Sequence, residues 1–218
     1  MTAVGDRLIT EYFENLEVPE GYRAELLRGE IVMMAVPDWV HNMIVLRIQD
    51  QFSRDRWHPV TTQDIAIPGE ASEPQPDLVV IEHGAFDGPG RLVPAPATTV
   101  VLEVVSKTSR LRDYVTKRSM YAAGQVPLYL IVDPYEARCV LLSEPSGAGE
   151  AADYRTERTS AFGEAVPLGA LGLALDTTDF GTLPAAPLAA TGLAVAPVTP
   201  VAPATPVAPG APAVTPEP

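Results

Sequence analysis

Cysteine is nearly absent from this chain. Cys139 stands alone among 218 residues, which excludes an internal disulfide framework and any zinc site built from several thiolates. It lies between Arg138 and Val140 in an apolar run and reads as strand filler rather than a nucleophile. Lysine is almost as scarce: of 15 basic residues only Lys107 and Lys117 are lysines, and the rest are arginine. Acids outnumber bases, and the formal net charge is −13. That balance argues against tight, non-specific duplex binding, because phosphate contacts need a basic surface. Carboxylates that hold a divalent cation would soften it. No apolar stretch reaches membrane-spanning length, and no basic segment followed by an apolar core opens the chain. Neither a membrane span nor a signal peptide is expected, and the cytoplasm is the expected compartment. His58 and His83 have no partners at ligand spacing, so a histidine metal site is unsupported.

What is present suits one domain with a substantial core. Hydrophobic residues make up 46% and charged residues 20%, as in soluble globular proteins. The chain is organised around Val100 to Lys117. Val100 to Val105 is a nearly continuous β-branched run that reads as a buried strand, yet Glu103 sits inside it. A carboxylate there is expensive unless it is paired or bound. Helix chemistry begins after Ser109, and Asp113 and Lys117, four apart with the acid first, share a face. Upstream, Asp77 follows Pro76 at the mouth of the apolar run Leu78 to Ile81. Two acids on neighbouring strands with a lysine just beyond would make a divalent-metal site with a cationic helper.

Around that centre the periodicity predicts further elements. Ala3 to Leu16 is an amphipathic helix. Tyr22 to Leu27 is a short helical turn or the start of a strand, followed by a tight turn at Arg28-Gly29 and a strand over Glu30 to Val36. Val40 to Phe52 is a second helix, with His41 at its start. Strands are expected at Val60 to Ile67, Pro76 to Ile81, Pro127 to Val132, Arg138 to Leu142 and Tyr154 to Thr159, and Ala122-Ala123-Gly124 stops the helix after the central strand. Val166 to Leu175 is apolar and glycine-rich, of open type. The result is an α/β or α+β domain, with a mixed central sheet flanked by helices, over residues 1–180.

From Gly181 the composition changes to Ala, Pro, Val and Thr. Pro197, Pro200, Pro203, Pro206, Pro209 and Pro212 recur every third residue, the period of a polyproline II helix. Residues 181–218 are expected to be a disordered tail, either a plain spacer or a ligand for a protein partner.

Several segments in order resemble the Uma2 family of restriction-endonuclease-like proteins in the PD-(D/E)XK nuclease superfamily. They are Glu25 to Glu30, His41, Pro76 to Val80, Glu103 to Ser106, Arg112-Asp113 with Lys117 and Tyr121, and Val126 to Pro134. The resemblance implies a nuclease-like core with its acids at one end. Asp77 takes the place of the motif aspartate and Glu103 that of the second acid. Val105 stands where the superfamily carries its usual lysine; the family moves that lysine to the following helix, here Lys117. Glu25 falls where related nucleases carry a helix glutamate near the metal. The expected proline after Ser106 is replaced by Lys107, a second candidate lysine.

The expected chemistry is hydrolysis of a DNA phosphodiester with Mg²⁺, for which Mn²⁺ could substitute. Asp77, Glu103 and Glu25 would be the metal ligands and Lys117 the group that positions water or stabilises charge. Tyr121 would line the pocket or hydrogen-bond to a neighbour. Each residue also has a plainer reading. Glu103 could be a buried acid paired with Lys117, Asp77 a turn cap, Lys117 a surface partner of Asp113, and His41 a helix-face histidine. Glu30 competes with Glu25 as third acid. Duplex cutting calls for two sites, which a homodimer would provide. The rival functions are a nuclease-fold binding module without useful catalysis and a metal-dependent phosphodiesterase acting on another substrate.

Overall fold

The structure is a computed structural model that describes residues 3–184. The expected tail therefore lies, beyond Pro184, outside the described residues. The described elements are α1 (Ala3–Glu14), β1 (Tyr22–Leu27), β2 (Glu30–Ala35), α2 (Trp39–Gln49), β3 (Trp57–Val60), β4 (Ile65–Ala66), β5 (Leu78–Glu82) and β6 (Val93–Pro94). There follow β7 (Val100–Val104), a π-helical turn (Arg112–Lys117) running into α3 (Arg118–Ala123), β8 (Leu128–Asp133), β9 (Arg138–Ser146), β10 (Asp153–Ala161), β11 (Val166–Leu168) and β12 (Leu173–Leu175). Among the described residues no helix is long and apolar enough to cross a membrane.

Six strands form the central sheet in the order β10-β9-β8-β7-β5-β3. Only β7 and β8 run parallel, and the turn-and-helix segment between them supplies the crossover that such a pair requires. The sheet is mixed, as the sequence pattern predicts. Strands β5, β7 and β8 are apolar on both sides because both faces are covered. Val79, Val101, Tyr129 and Ile131 point into one core with Met120, Tyr121 and Ala122 of α3. Leu78, Val80, Leu102 and Leu130 point into the other, where Ile44 and Ile48 of α2 and Leu168 and Leu175 of the β11–β12 hairpin close over them.

Two expectations change. Val60 to Ile67 is not one strand. Thr62 takes a left-handed conformation (φ 55°), which ends β3, and β4 leaves the central sheet to pair with β6. Tyr22 to Leu27 resolves as a strand: β1 pairs antiparallel with β2 through the two-residue turn Arg28-Gly29. Both turn residues have positive φ, 52° and 78°, which matches the twist a two-residue hairpin needs. Glu25 thus stands on a strand, not on the helix of the related nucleases. The Leu26–Glu73 bridge docks this hairpin beside the segment leading into β5.

Candidate active site

The acid-bearing positions converge because of strand register. Leu78 pairs with Leu102 and Val79 with Val101, antiparallel, so one further step sets Asp77 opposite Glu103. The Val104 amide donates to Asp77 Oδ2 at 2.8 Å and locks that step. Alternation along β7 turns Glu103 to the same face as Val101, the face covered by α3. There Lys117, 1% exposed, reaches down from the π-helical turn.

Lys117 Nζ donates to Glu103 Oε1 at 2.6 Å and to Glu25 Oε1 at 2.8 Å. Tyr121 Oη donates to the same Glu103 oxygen at 2.6 Å. Glu25 Oε1 also accepts the Gln75 amide at 2.9 Å, whereas its Oε2 is buried without a hydrogen-bond partner. Asp113 does not pair with Lys117 across the helix as the four-residue spacing suggested. The π-helical widening and the two glutamates draw the ammonium away, and Asp113 Oδ2 takes the Ser109 hydroxyl instead.

Asp77 is held by three donors: the Val104 amide, Arg23 Nη1 on Oδ1 at 2.9 Å, and His41 Nε2 on Oδ2 at 2.9 Å. His41 is placed by α2, whose first turn is capped by the Asp38 carboxylate accepting the His41 amide at 3.0 Å. Its bond to an ionised carboxylate assigns the proton to Nε2, and Nδ1 is buried without a partner.

Burial opposes ionisation of Asp77, Glu103 and Asp113, and their neighbours decide the outcome. Burial penalises Asp77, but His41, Arg23 and the Val104 amide outweigh it and hold its pKa below the usual carboxylate range. Burial raises Glu103; Lys117 pulls it down, but repulsion from Asp77, Asp113 and Glu25 leaves it above the usual range. Burial likewise raises Asp113 to about 6, with Lys117 and the Ser109 hydrogen bond opposing. Burial alone would lower Lys117, yet Glu103, Glu25 and Asp113 reverse that and keep the ammonium charged.

The four residues expected at the site, Asp77, Glu103, Lys117 and Glu25, are all buried in this region. Lys107 is exposed on the turn after β7, so the lysine at the acids is Lys117; Glu30 is exposed at the end of its hairpin. His41, which sequence alone rated a helix-face residue, touches Asp77. Arg23 and Ser109 went unnoticed, since neither carries a local signal: Arg23 lies 54 residues from its partner in the chain. Asp77, Arg23 and His41 also line a cleft of about 340 Å³, together with Asn42, Thr61 and Gln75.

A hard divalent cation takes oxygen ligands and tolerates a small protein ligand count. Asp77, Glu103 and Glu25 offer carboxylate oxygens only, and Glu25 Oε2 has no other partner. Four acids, Asp77, Glu103, Glu25 and Asp113, face the permanent cations Arg23 and Lys117, with Arg112 beside Asp113, so full ionisation leaves an excess of one negative charge. The donor set fits a dication. Among the described residues no three acidic, histidine or cysteine side chains already stand as a closed cage; the protein's own cations lie on their oxygens instead.

A family model described as "Uma2: Putative restriction endonuclease" matches residues 10–178. A solved structure of similar fold is that of a protein from Anabaena variabilis described as a "putative nuclease belonging to DUF820". It is 14% identical, superposes with a TM-score of 0.59, and the match covers 78% of this chain and 96% of that one. At that identity the likeness is one of fold. No curated protein matches the chain.

Proposed function

Because the chain belongs to the Uma2 family, matched over more than half its length, we propose that it is a divalent-metal-dependent nuclease hydrolysing DNA phosphodiester bonds. The observation that carries this reading is Lys117, a buried ammonium between Glu25 and Glu103, beside an aspartate opposite Glu103 in the sheet. Asp77, Glu103 and Glu25 would hold the cation, with Mg²⁺ the hard dication of choice and Mn²⁺ a substitute. When bound, such an ion supplies charge screening at the phosphate and makes water more acidic.

The remaining work belongs to the side chains. Lys117 is fixed by two carboxylates and is charged, so it holds Glu25 and Glu103 in place and its preorganised positive field favours negative charge that develops beside them. Tyr121 donates to the same Glu103 oxygen and helps to fix that carboxylate. His41 and the Val104 amide orient Asp77, much as hydrogen-bonded outer partners orient metal ligands elsewhere. The cleft at Asp77 gives the substrate phosphate a way in from solvent.

The test is a cleavage screen on supercoiled, linear and single-stranded DNA with Mg²⁺ or Mn²⁺, using Asp77→Ala and Glu103→Ala as controls. Cutting that needs the cation and vanishes in both folded variants supports the reading. A wild-type protein that neither cuts nor takes up Mn²⁺ by calorimetry sinks it. One observation favours a binding module instead: Asp77 already has both oxygens engaged, by Arg23 and His41. In that case DNA is bound equally well with EDTA present.

A further inference from the structure

Arg23 is the permanent cation in the lining of the cleft, and its side chain is 23% exposed there. It spends one guanidinium nitrogen on Asp77 Oδ1. Its Nε is buried and has no partner, so donor capacity remains unused in a side chain whose planar fork suits phosphate oxygens. Its charge is also strongly favoured: burial opposes it, but Asp77, Glu103 and Glu25 together raise its pKa above the ordinary arginine value. The guanidinium therefore sits on the same carboxylate that a divalent cation requires.

Resting on the metal-dependent reading above, we propose that Arg23 is an exchangeable counter-ion. It neutralises Asp77 until a divalent cation competes for Oδ1, and the displaced guanidinium then binds a phosphate of the nucleic acid entering the cleft. The two events are linked by charge. A dication on Asp77 repels Arg23, and a phosphate in the cleft is its natural new partner. Metal and nucleic acid thus promote each other's binding through one side chain that stays within the site. Lys117 cannot play this part, being fully enclosed by Glu25 and Glu103.

The experiment compares full-length wild type, Arg23→Gln and Arg23→Lys, each first checked for native circular dichroism. Mn²⁺ uptake is read by titration calorimetry without nucleic acid. Binding of a short fluorescein-labelled duplex is read by anisotropy in Ca²⁺. Removing the competing charge in R23Q should tighten Mn²⁺ binding by about five- to tenfold, an ordinary size for coupling between two ligands of one site. It should weaken duplex binding by about tenfold or more, the usual consequence of losing a charged hydrogen bond. R23K, which keeps the charge but not the fork, should leave Mn²⁺ affinity near wild type and still weaken the duplex. A structural salt bridge predicts otherwise: both affinities fall together in R23Q, or neither moves, and either result overturns the proposal. So does, in R23Q, a change in one affinity without the opposite change in the other. Uptake by R23Q, where wild type cuts DNA with Mn²⁺ but binds the ion too weakly for calorimetry to register, supports it. Absence of uptake in all three proteins removes the metal-dependent reading and the counter-ion with it.

Discussion

Replacing Lys117 by methionine is the most direct perturbation of the buried charge cluster. The ammonium is 1% exposed and bonded to two carboxylates that are themselves 0% and 2% exposed. Methionine fills much the same volume, so the loss is electrostatic rather than steric. Glu25 and Glu103 would face each other and Asp77 without the charge that stabilises them. Breaking a buried pair by removing one partner costs about 3–5 kcal/mol, because the remaining charge is uncompensated. Part of that loss is limited by protonation, which Glu103 accepts most readily, its pKa already being raised by burial and by the other acids. The expected loss is therefore near the lower end, about 3 kcal/mol. For a domain of this size that corresponds to a melting temperature lower by roughly 6–12 °C. Urea denaturation followed by the fluorescence of Trp57, which is buried against Phe52, would measure it. The double variant Lys117→Met/Glu103→Gln should recover about 1–2 kcal/mol relative to the sum of the single changes, since contacting residues couple by that order. Strict additivity, or a K117M midpoint indistinguishable from wild type, would refute the view that Lys117 neutralises these acids.

Three smaller outcomes follow from other parts of the fold. Tyr129→Phe removes the hydroxyl that donates to the Asp113 carbonyl at 2.9 Å and should cost about 1–2 kcal/mol in urea denaturation, with no change in slope. Cys139 is 1% exposed and burial pushes its thiol up to about 12, so Ellman's reagent at pH 8 should label it only once the protein is unfolded; prompt labelling of native protein would contradict that. Gly124→Ala is permitted by the backbone, but its new methyl would meet Ala95 Cβ at 3.0 Å and Ile67 Cδ1 at 3.1 Å. The crowding should outweigh the better helix propensity and destabilise by about 1 kcal/mol, measurable as a lower urea midpoint.

Much of the site was legible in the chain because its signals are local. Glu103 within a β-branched run and Asp77 at the mouth of another are oddities visible within a few residues. The apolar stretches that became β7 and β8 are unambiguous for the same reason. Local signals also misled in places. The four-residue spacing of Asp113 and Lys117 suggested an ion pair, but a π-helical turn and two stronger acceptors redirected the lysine. The apolar stretch from Val60 to Ile67 looked like one strand, and a single left-handed residue, Thr62, divided it. His41 looks like an ordinary helix-face residue in the sequence, since nothing near it names Asp77 as its partner.

By itself the order of residues determined the mixed αβ architecture, the central strands and the short set of acids and the lysine from which a site could be assembled. Hydrophobic period and turn chemistry act within a few residues, and so they can be read without coordinates. Only the tertiary structure decided who meets whom. The register of β5 on β7 puts Asp77 opposite Glu103, the docked β1–β2 hairpin delivers Glu25 to Lys117, and the same hairpin brings Arg23 to Asp77. Those meetings depend on side chains far apart in the chain sharing one water-poor space, where an unpaired charge is too costly to leave alone.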